Sequence, residues 1–234
     1  MGLNRQFVLS LCMAIIGMAV GFAPSAQAGI VTPKMGGGQV TGAMMKHADV
    51  LFDGTNITLQ LDGTVPTPWL VPLTSPDEFD STQPWSVLGG KAYNWQYAWN
   101  PSGFITRPVV GGVTGEFWVE VESMSAGLVP YLRPPQWTTA LGPKWTPGLS
   151  TTGARWMWAG SMQHNAYTVL NPTQSTYSAT YKVYIGDPVT GNPWSGFGSD
   201  VTTWTWSATP VPEPASLALL CAGAVALRLL RRRQ

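Results

Sequence analysis

Residues Tyr177 to Ile185 read Tyr, Ser, Ala, Thr, Tyr, Lys, Val, Tyr, Ile. Taken two at a time, Tyr177, Ala179, Tyr181, Val183 and Ile185 share one side. Ser178, Thr180, Lys182 and Tyr184 share the other. A period of two marks a half-buried strand, because successive side chains leave a pleated backbone on opposite faces. The pattern recurs along the chain, with aromatic and β-branched residues set between glycine and proline punctuation. Lysine, glutamate and leucine are sparse, so little of the chain favours helix. A sequence written this way buries its apolar faces by packing sheet against sheet.

Other segments repeat the pattern. Asn56 to Leu61 alternates between two Asp-Gly turns, with Ile57, Leu59 and Leu61 facing inward. Ala92 to Trp99 reads as one strand with Tyr93, Trp95, Tyr97 and Trp99 on a single face. Gly115 to Val121 sets Phe117, Val119 and Val121 against Glu116, Trp118, Glu120 and Glu122. Ala154 to Ala159 and Val201 to Ala208 are further strands, the latter carrying Trp204 and Trp206 on one face, and Trp85 to Leu88 reads as a short one. Pro66 to Pro84 is turn-rich and expected to be strand-free. No helix is expected between Gly29 and Thr209. The expected fold is all-β: seven to nine short strands in an antiparallel β-sandwich, a jelly roll being one version, with long Gly/Pro-rich loops.

The two ends differ from this middle. Arg5 precedes an apolar run from Phe7 to Phe22, and Ala26 and Ala28 occupy the small positions of a signal-peptidase site. Residues 1–28 therefore read as a cleaved secretory signal helix, with Gly29 first after cleavage. At the other end stand Val211, Pro212, Glu213 and Pro214, then an apolar helix over 215–230 broken by Arg228, then Arg231, Arg232 and Arg233. A relaxed bilayer crossing needs roughly 20 residues, so this short transmembrane segment suits a transient anchor. The terminal arginines are expected to stay cytoplasmic. The chain divides into a signal (1–28), one β domain (29–209), a linker holding Pro-Glu-Pro (210–214), the sorting helix (215–230) and a basic tail (231–234).

The C-terminal arrangement from Val211 to Gln234 resembles the PEP-CTERM sorting domain. The resemblance implies that an exosortase, a membrane-embedded peptidase, recognises Pro212, Glu213 and Pro214 and processes the protein for surface display or release. These residues would be recognition elements in a substrate. The tail implies a destination and transfers no biochemical activity.

The middle bounds its own chemistry. Cys12 and Cys221 both lie in the terminal apolar segments, so the exported part has no thiol and no disulfide. Between Gly29 and Thr209 eight basic residues face eleven acidic ones, a net charge of −3, with no basic stripe for nucleic acid. Trp95, Trp99 and Trp118 are candidates for a flat platform that stacks on sugar rings. The competing reading is that, with few leucines and isoleucines, these rings fill the core. Asp77, Glu78 and Asp80 form the densest acidic cluster and a weak calcium candidate, with Asp49 and Asp53 a second. Neither has EF-hand spacing, and solvated surface is the alternative. His47 and His164, the only histidines, show no zinc-binding spacing. Glu116, Glu120 and Glu122 share a strand face, a spacing compatible with paired glycosidase carboxylates but common to any surface strand. No Gly-x-Ser-x-Gly elbow is present.

The expectation is a non-catalytic exported domain without a cofactor, structural, adhesive or carbohydrate-contacting, in the envelope or exopolysaccharide matrix. Its implied partners are signal peptidase, an exosortase-like peptidase, matrix polysaccharide and, before processing, the membrane. One alternative is a self-assembling subunit whose Val31 to Val40 segment adds a strand to a neighbour's sheet. Another is a polysaccharide-acting glycosidase.

Overall fold

The computed structural model describes residues 27–103, 105–133 and 144–211. The expected signal helix and the expected transmembrane helix lie outside them. Within the described residues no helix is long and apolar enough to cross a membrane. In chain order the first strands are β1 (Ile30–Val31), β2 (Lys46–Phe52), β3 (Ile57–Leu61), β4 (Trp69–Pro72) and β5 (Glu78–Phe79). A short 3-10 helix, Pro84–Leu88, precedes β6 (Ala92–Asn94), β7 (Tyr97–Pro101), β8 (Val109–Val110) and β9 (Val113–Thr114). Then come β10 (Glu116–Met124), β11 (Leu128–Leu132), β12 (Thr146–Pro147) and β13 (Arg155–Trp158). The last are β14 (Gln163–His164), β15 (Ala166–Val169), β16 (Thr176–Gly186) and β17 (Asp200–Ala208).

Nine of these strands form one sheet in the order β12, β11, β15, β6, β4, β17, β16, β10, β13. It curls into a half-barrel. A second sheet, ordered β14, β7, β2, β3, packs against it. The main core lies between the two. Ala48, Val50, Ile57, Tyr97 and Trp99 come from the smaller sheet; Phe117, Val119, Val121, Tyr181, Val183, Trp204 and Trp206 come from the larger. Tyr97 stacks flat on Trp204 with ring centroids 4.7 Å apart, and Trp99 meets the same indole at 4.6 Å. The Tyr97 hydroxyl donates to the Thr205 carbonyl at 3.0 Å, giving this buried polar tip a partner across the sheets. A smaller cluster lies elsewhere, built by Phe79, Leu88, Tyr93, Trp95, Tyr131 and Trp145.

The strong alternations land as read. β16 buries Tyr177, Ala179, Tyr181, Val183 and Ile185. It also pairs antiparallel with both β10 and β17. Five expectations are corrected. The sheets are mixed, since β2 with β7, β4 with β17 and β1 with β5 pair parallel. Seventeen strands, many only two residues long, replace the seven to nine expected among the described residues. Pro66 to Pro84 is not strand-free, because β4 and β5 lie within it. Trp85 to Leu88 belongs to the 3-10 helix, opened by Pro84 at its first position where a missing N–H costs nothing.

The segment 92–99 is the most instructive correction. It is two strands in two sheets, with Trp95 and Gln96 forming the corner. Asn94 and Gln96, which a single strand would place on the face opposite the aromatic row, are both buried. The Asn94 side-chain amide donates to Gln96 Oε1 at 2.8 Å, and the Gln96 backbone N–H donates to Asn94 Oδ1 at 2.8 Å. Satisfied in this way, two buried amides turn the chain from one sheet to the other.

Candidate functional site

The corner amides reach outward as well. Asn94 Nδ2 donates to the Trp69 carbonyl at 3.0 Å, and Gln96 Nε2 donates to the Met44 carbonyl at 2.8 Å. Trp69 and Met44, whose backbones are thereby pinned, both line one groove. The groove has a volume of about 320 Å³ and a mostly apolar lining that includes Val40, Val65, Pro66 and Pro68. Trp69 is 52 % exposed and Met44 59 %. Strand β4 holds the Trp69 backbone in register with Ser207 while Leu70, the next residue, points into the core. Gly36 also lines the groove, and next to it Gly37, at φ +84°, lets two backbones meet: a Cβ there would lie 2.1 Å from the Tyr93 carbonyl oxygen. This half-exposed indole on an apolar groove was not singled out from the sequence. Its signal, one tryptophan after a Pro-Thr-Pro run, has no period to detect.

The aromatic residues singled out from the sequence lie elsewhere. Trp99 is 1 % exposed and sits in the main core, while Trp95 is 6 % exposed in the smaller cluster. They do not share a platform, because the corner at Trp95 and Gln96 sends them to different packing layers. Trp118 is 9 % exposed. The turn from Gly186 to Asn192 lies over it, and a Cβ at Gly186 would come within 2.9 Å of Trp118 Cδ1. Glycine at that position lets backbone cover an indole that the sequence pattern placed among solvated glutamates.

The carboxylates are dispersed. Glu116 accepts from the Arg107 guanidinium, Glu120 accepts from the Tyr184 hydroxyl at 3.2 Å, and Glu122 faces Lys182 at 3.6 Å. A register shift between Val121 and Ser123 interrupts their common face. Asp77 and Glu78 line a cavity of about 530 Å³, but Lys144 shares its wall. Asp80 turns to its own loop, accepting from the Thr82 N–H and hydroxyl, which lower its pKa. Asp53 does likewise with the N–H groups of Asn56 and Thr55, its pKa lowered by them, and Asp49 accepts from Asn100. Among the described residues no three potential metal ligands gather. His164 is held by the Trp95 carbonyl at 2.9 Å, and burial first of all pushes its pKa down.

The described residues define a mostly-β domain built on a curled nine-stranded sheet. Residues 210–234 match the family model described as the PEP-CTERM protein-sorting motif, consistent with an exosortase substrate. The chain is an exported protein carrying an exosortase-linked sorting signal. None of the curated proteins and none of the solved structures matches it. Of the sorting residues, Val211 is described: it is exposed, and its N–H donates to the Pro172 carbonyl at 2.7 Å. Pro212, Glu213, Pro214, Arg231, Arg232 and Arg233 lie outside the described residues, as does Ala26 of the signal. Ala28 is exposed, and the Gly29 nitrogen lies 3.3 Å from Asp77 Oδ1.

Proposed function

We propose that this chain is a non-catalytic domain that reaches the cell surface or the extracellular matrix through its sorting tail and contacts a polymer there through the Trp69 groove. The observation that carries the reading is the half-exposed Trp69 indole beside an apolar groove, its backbone carbonyl held by Asn94, while most of the other large rings are buried. A rigid aromatic face with apolar surroundings favours the C–H faces of sugar rings, and the groove's shape restricts how they approach. The tail is transiently membrane-held and then processed by an exosortase-like peptidase. Signal cleavage after Ala28 leaves the new α-ammonium of Gly29 facing the Asp77 carboxylate.

The test is affinity electrophoresis of the purified protein through gels containing neutral or anionic polysaccharides. Retardation by at least one polymer, lost in Trp69→Ala, is the expected result. Retardation that survives Trp69→Ala, or none with any polymer, rejects the groove as the contact surface.

A further inference from the structure

The outer face of β16 and β17 carries a single chemistry. On β16 the side chains turned away from the core begin with Thr176, Ser178 and Thr180. On β17 they include Thr203, Thr205 and Ser207. The antiparallel register sets these opposite one another as three pairs: Thr176 with Ser207, Ser178 with Thr205, and Thr180 with Thr203. Directly opposed residues share a face of the sheet, so the hydroxyls stand as a ladder on one surface. Thr176 and Thr203 are exposed, and the other four are half-buried. The Thr180 and Thr203 hydroxyls lie 2.9 Å apart, which holds that rung together.

The ladder runs into the Trp69 groove. Strand β4 sets Trp69 opposite Ser207, and Leu70 beside it is in the core, so the indole extends the first rung on the same face. Adjacent strands stand ~4.8 Å apart and alternate residues of one strand ~6.6 Å apart, which places Thr203 ~13 Å along β17 from Ser207. Charge lies outside this area. Lys182, opposite Val201, is one step beyond the last rung and faces Glu122 at 3.6 Å. Among the described residues no charged side chain lines the groove.

We infer, on the Trp69 reading above, that the polymer held at the groove is a neutral polysaccharide whose chain continues across the hydroxyl ladder of β17 and β16. A hydroxyl both donates and accepts, so serine and threonine pair with sugar hydroxyls in either sense. A sugar carboxylate or sulfate pressed onto the three rungs would shed water and meet no cation there, and an ionised group desolvated without a partner is costly. The net charge of −3 between Gly29 and Thr209 repels a polyanion as well.

The test is native electrophoresis of the full-length chain in mild detergent through gels holding hydroxyethylcellulose, galactomannan or dextran, with alginate as the anionic comparator. Retardation by a neutral polymer, stronger than any by alginate, is expected. Thr203→Val combined with Thr205→Val removes two hydroxyls and keeps β-branched residues suited to a strand. Losing two neutral hydrogen bonds should weaken binding of the neutral polymer about tenfold, with an unchanged urea midpoint. Should the double variant fail to fold, Thr203→Val at its exposed position serves alone, with about threefold weakening expected. Alginate retardation equal to or above that of every neutral polymer, lost in Trp69→Ala, overturns the neutral class and leaves the groove standing. Neutral-polymer binding that Trp69→Ala abolishes and the folded valine variant leaves intact overturns the path across the ladder, again leaving the groove. No retardation by any polymer rejects the groove and the ladder together.

Discussion

Trp204 is the point where the two sheets meet, and replacing it tests the account of the core most severely. Its indole is fully buried and touches the rings of Tyr97, Trp99, Tyr167, Tyr181 and Trp206. Burying a side chain of about 200 Å² at ~25 cal/mol per Å² is worth ~5 kcal/mol. Ring contacts add to this, and incomplete collapse of the cavity keeps the cost of truncation near the upper end of the usual ~3–5 kcal/mol. Trp204→Ala should therefore remove a large part of the stability of a domain this size, commonly about 5–15 kcal/mol in all. Trp204→Phe should behave differently. Losing the second ring forfeits ~1 kcal/mol of burial. Yet Trp204 Nε1 has no hydrogen-bond partner among the described residues, and removing an unsatisfied buried donor returns ~1–3 kcal/mol. The phenylalanine variant is expected within about 1 kcal/mol of the parent, most of the difference cancelling. Urea unfolding followed by far-UV circular dichroism reads both changes without relying on the fluorescence that the substitutions alter. A phenylalanine variant as damaged as the alanine one, or an alanine variant costing under ~2 kcal/mol, contradicts this reasoning.

Two further outcomes are expected, one from the fold and one from the sorting motif. Burial depresses His164 in the fold, so the unfolded chain binds its proton more readily; stability should be complete above about pH 6.5 and decline as pH falls below it. Urea midpoints at pH 7.5 and 5.5 should differ in the parent and differ less in His164→Gln; an equal difference would remove His164 as the cause. Glu213→Ala should leave the unprocessed chain in the membrane fraction on immunoblots, with its circular dichroism unchanged, whereas normal release of the variant would undercut the role given to the tail.

How much of this was legible in the sequence depends on what each pattern encodes. Alternation reports which side of a strand is apolar, and β16 and β17 were read correctly because their partners lie beside them in one sheet. It does not report which sheet a strand joins. The run from Ala92 to Trp99 kept its period across a corner, and Asn94 and Gln96, two polar residues inside that period, are the buried amides that make the turn. The parallel pairings of β4 with β17 and β2 with β7 join segments remote in sequence, which no local pattern announces. The same limit applies to the sites. Trp95 and Trp99 drew notice because they belong to a row with a period of two, and that periodicity is what commits residues to packing; Trp118 drew notice as a lone ring on an acidic face, which the Gly186 turn covers. Trp69 stands alone after Pro68 on a strand of four residues. The sorting tail was fully legible because its information is linear: a short motif, an apolar run and a basic end.

The position of β17 has a mechanical consequence. The sorting tail continues from this strand, which lies inside the nine-stranded sheet and not at its margin. Eight residue pairs tie it antiparallel to β16, and β4 flanks its other side. Inter-strand hydrogen bonds run across the strand axis. A pull from the C-terminus along β17 therefore loads that ladder in shear, all rungs together, where a marginal strand would peel open one rung at a time. The C-terminal end of the described domain therefore yields only when the whole ladder of β17 with β16 gives way at once.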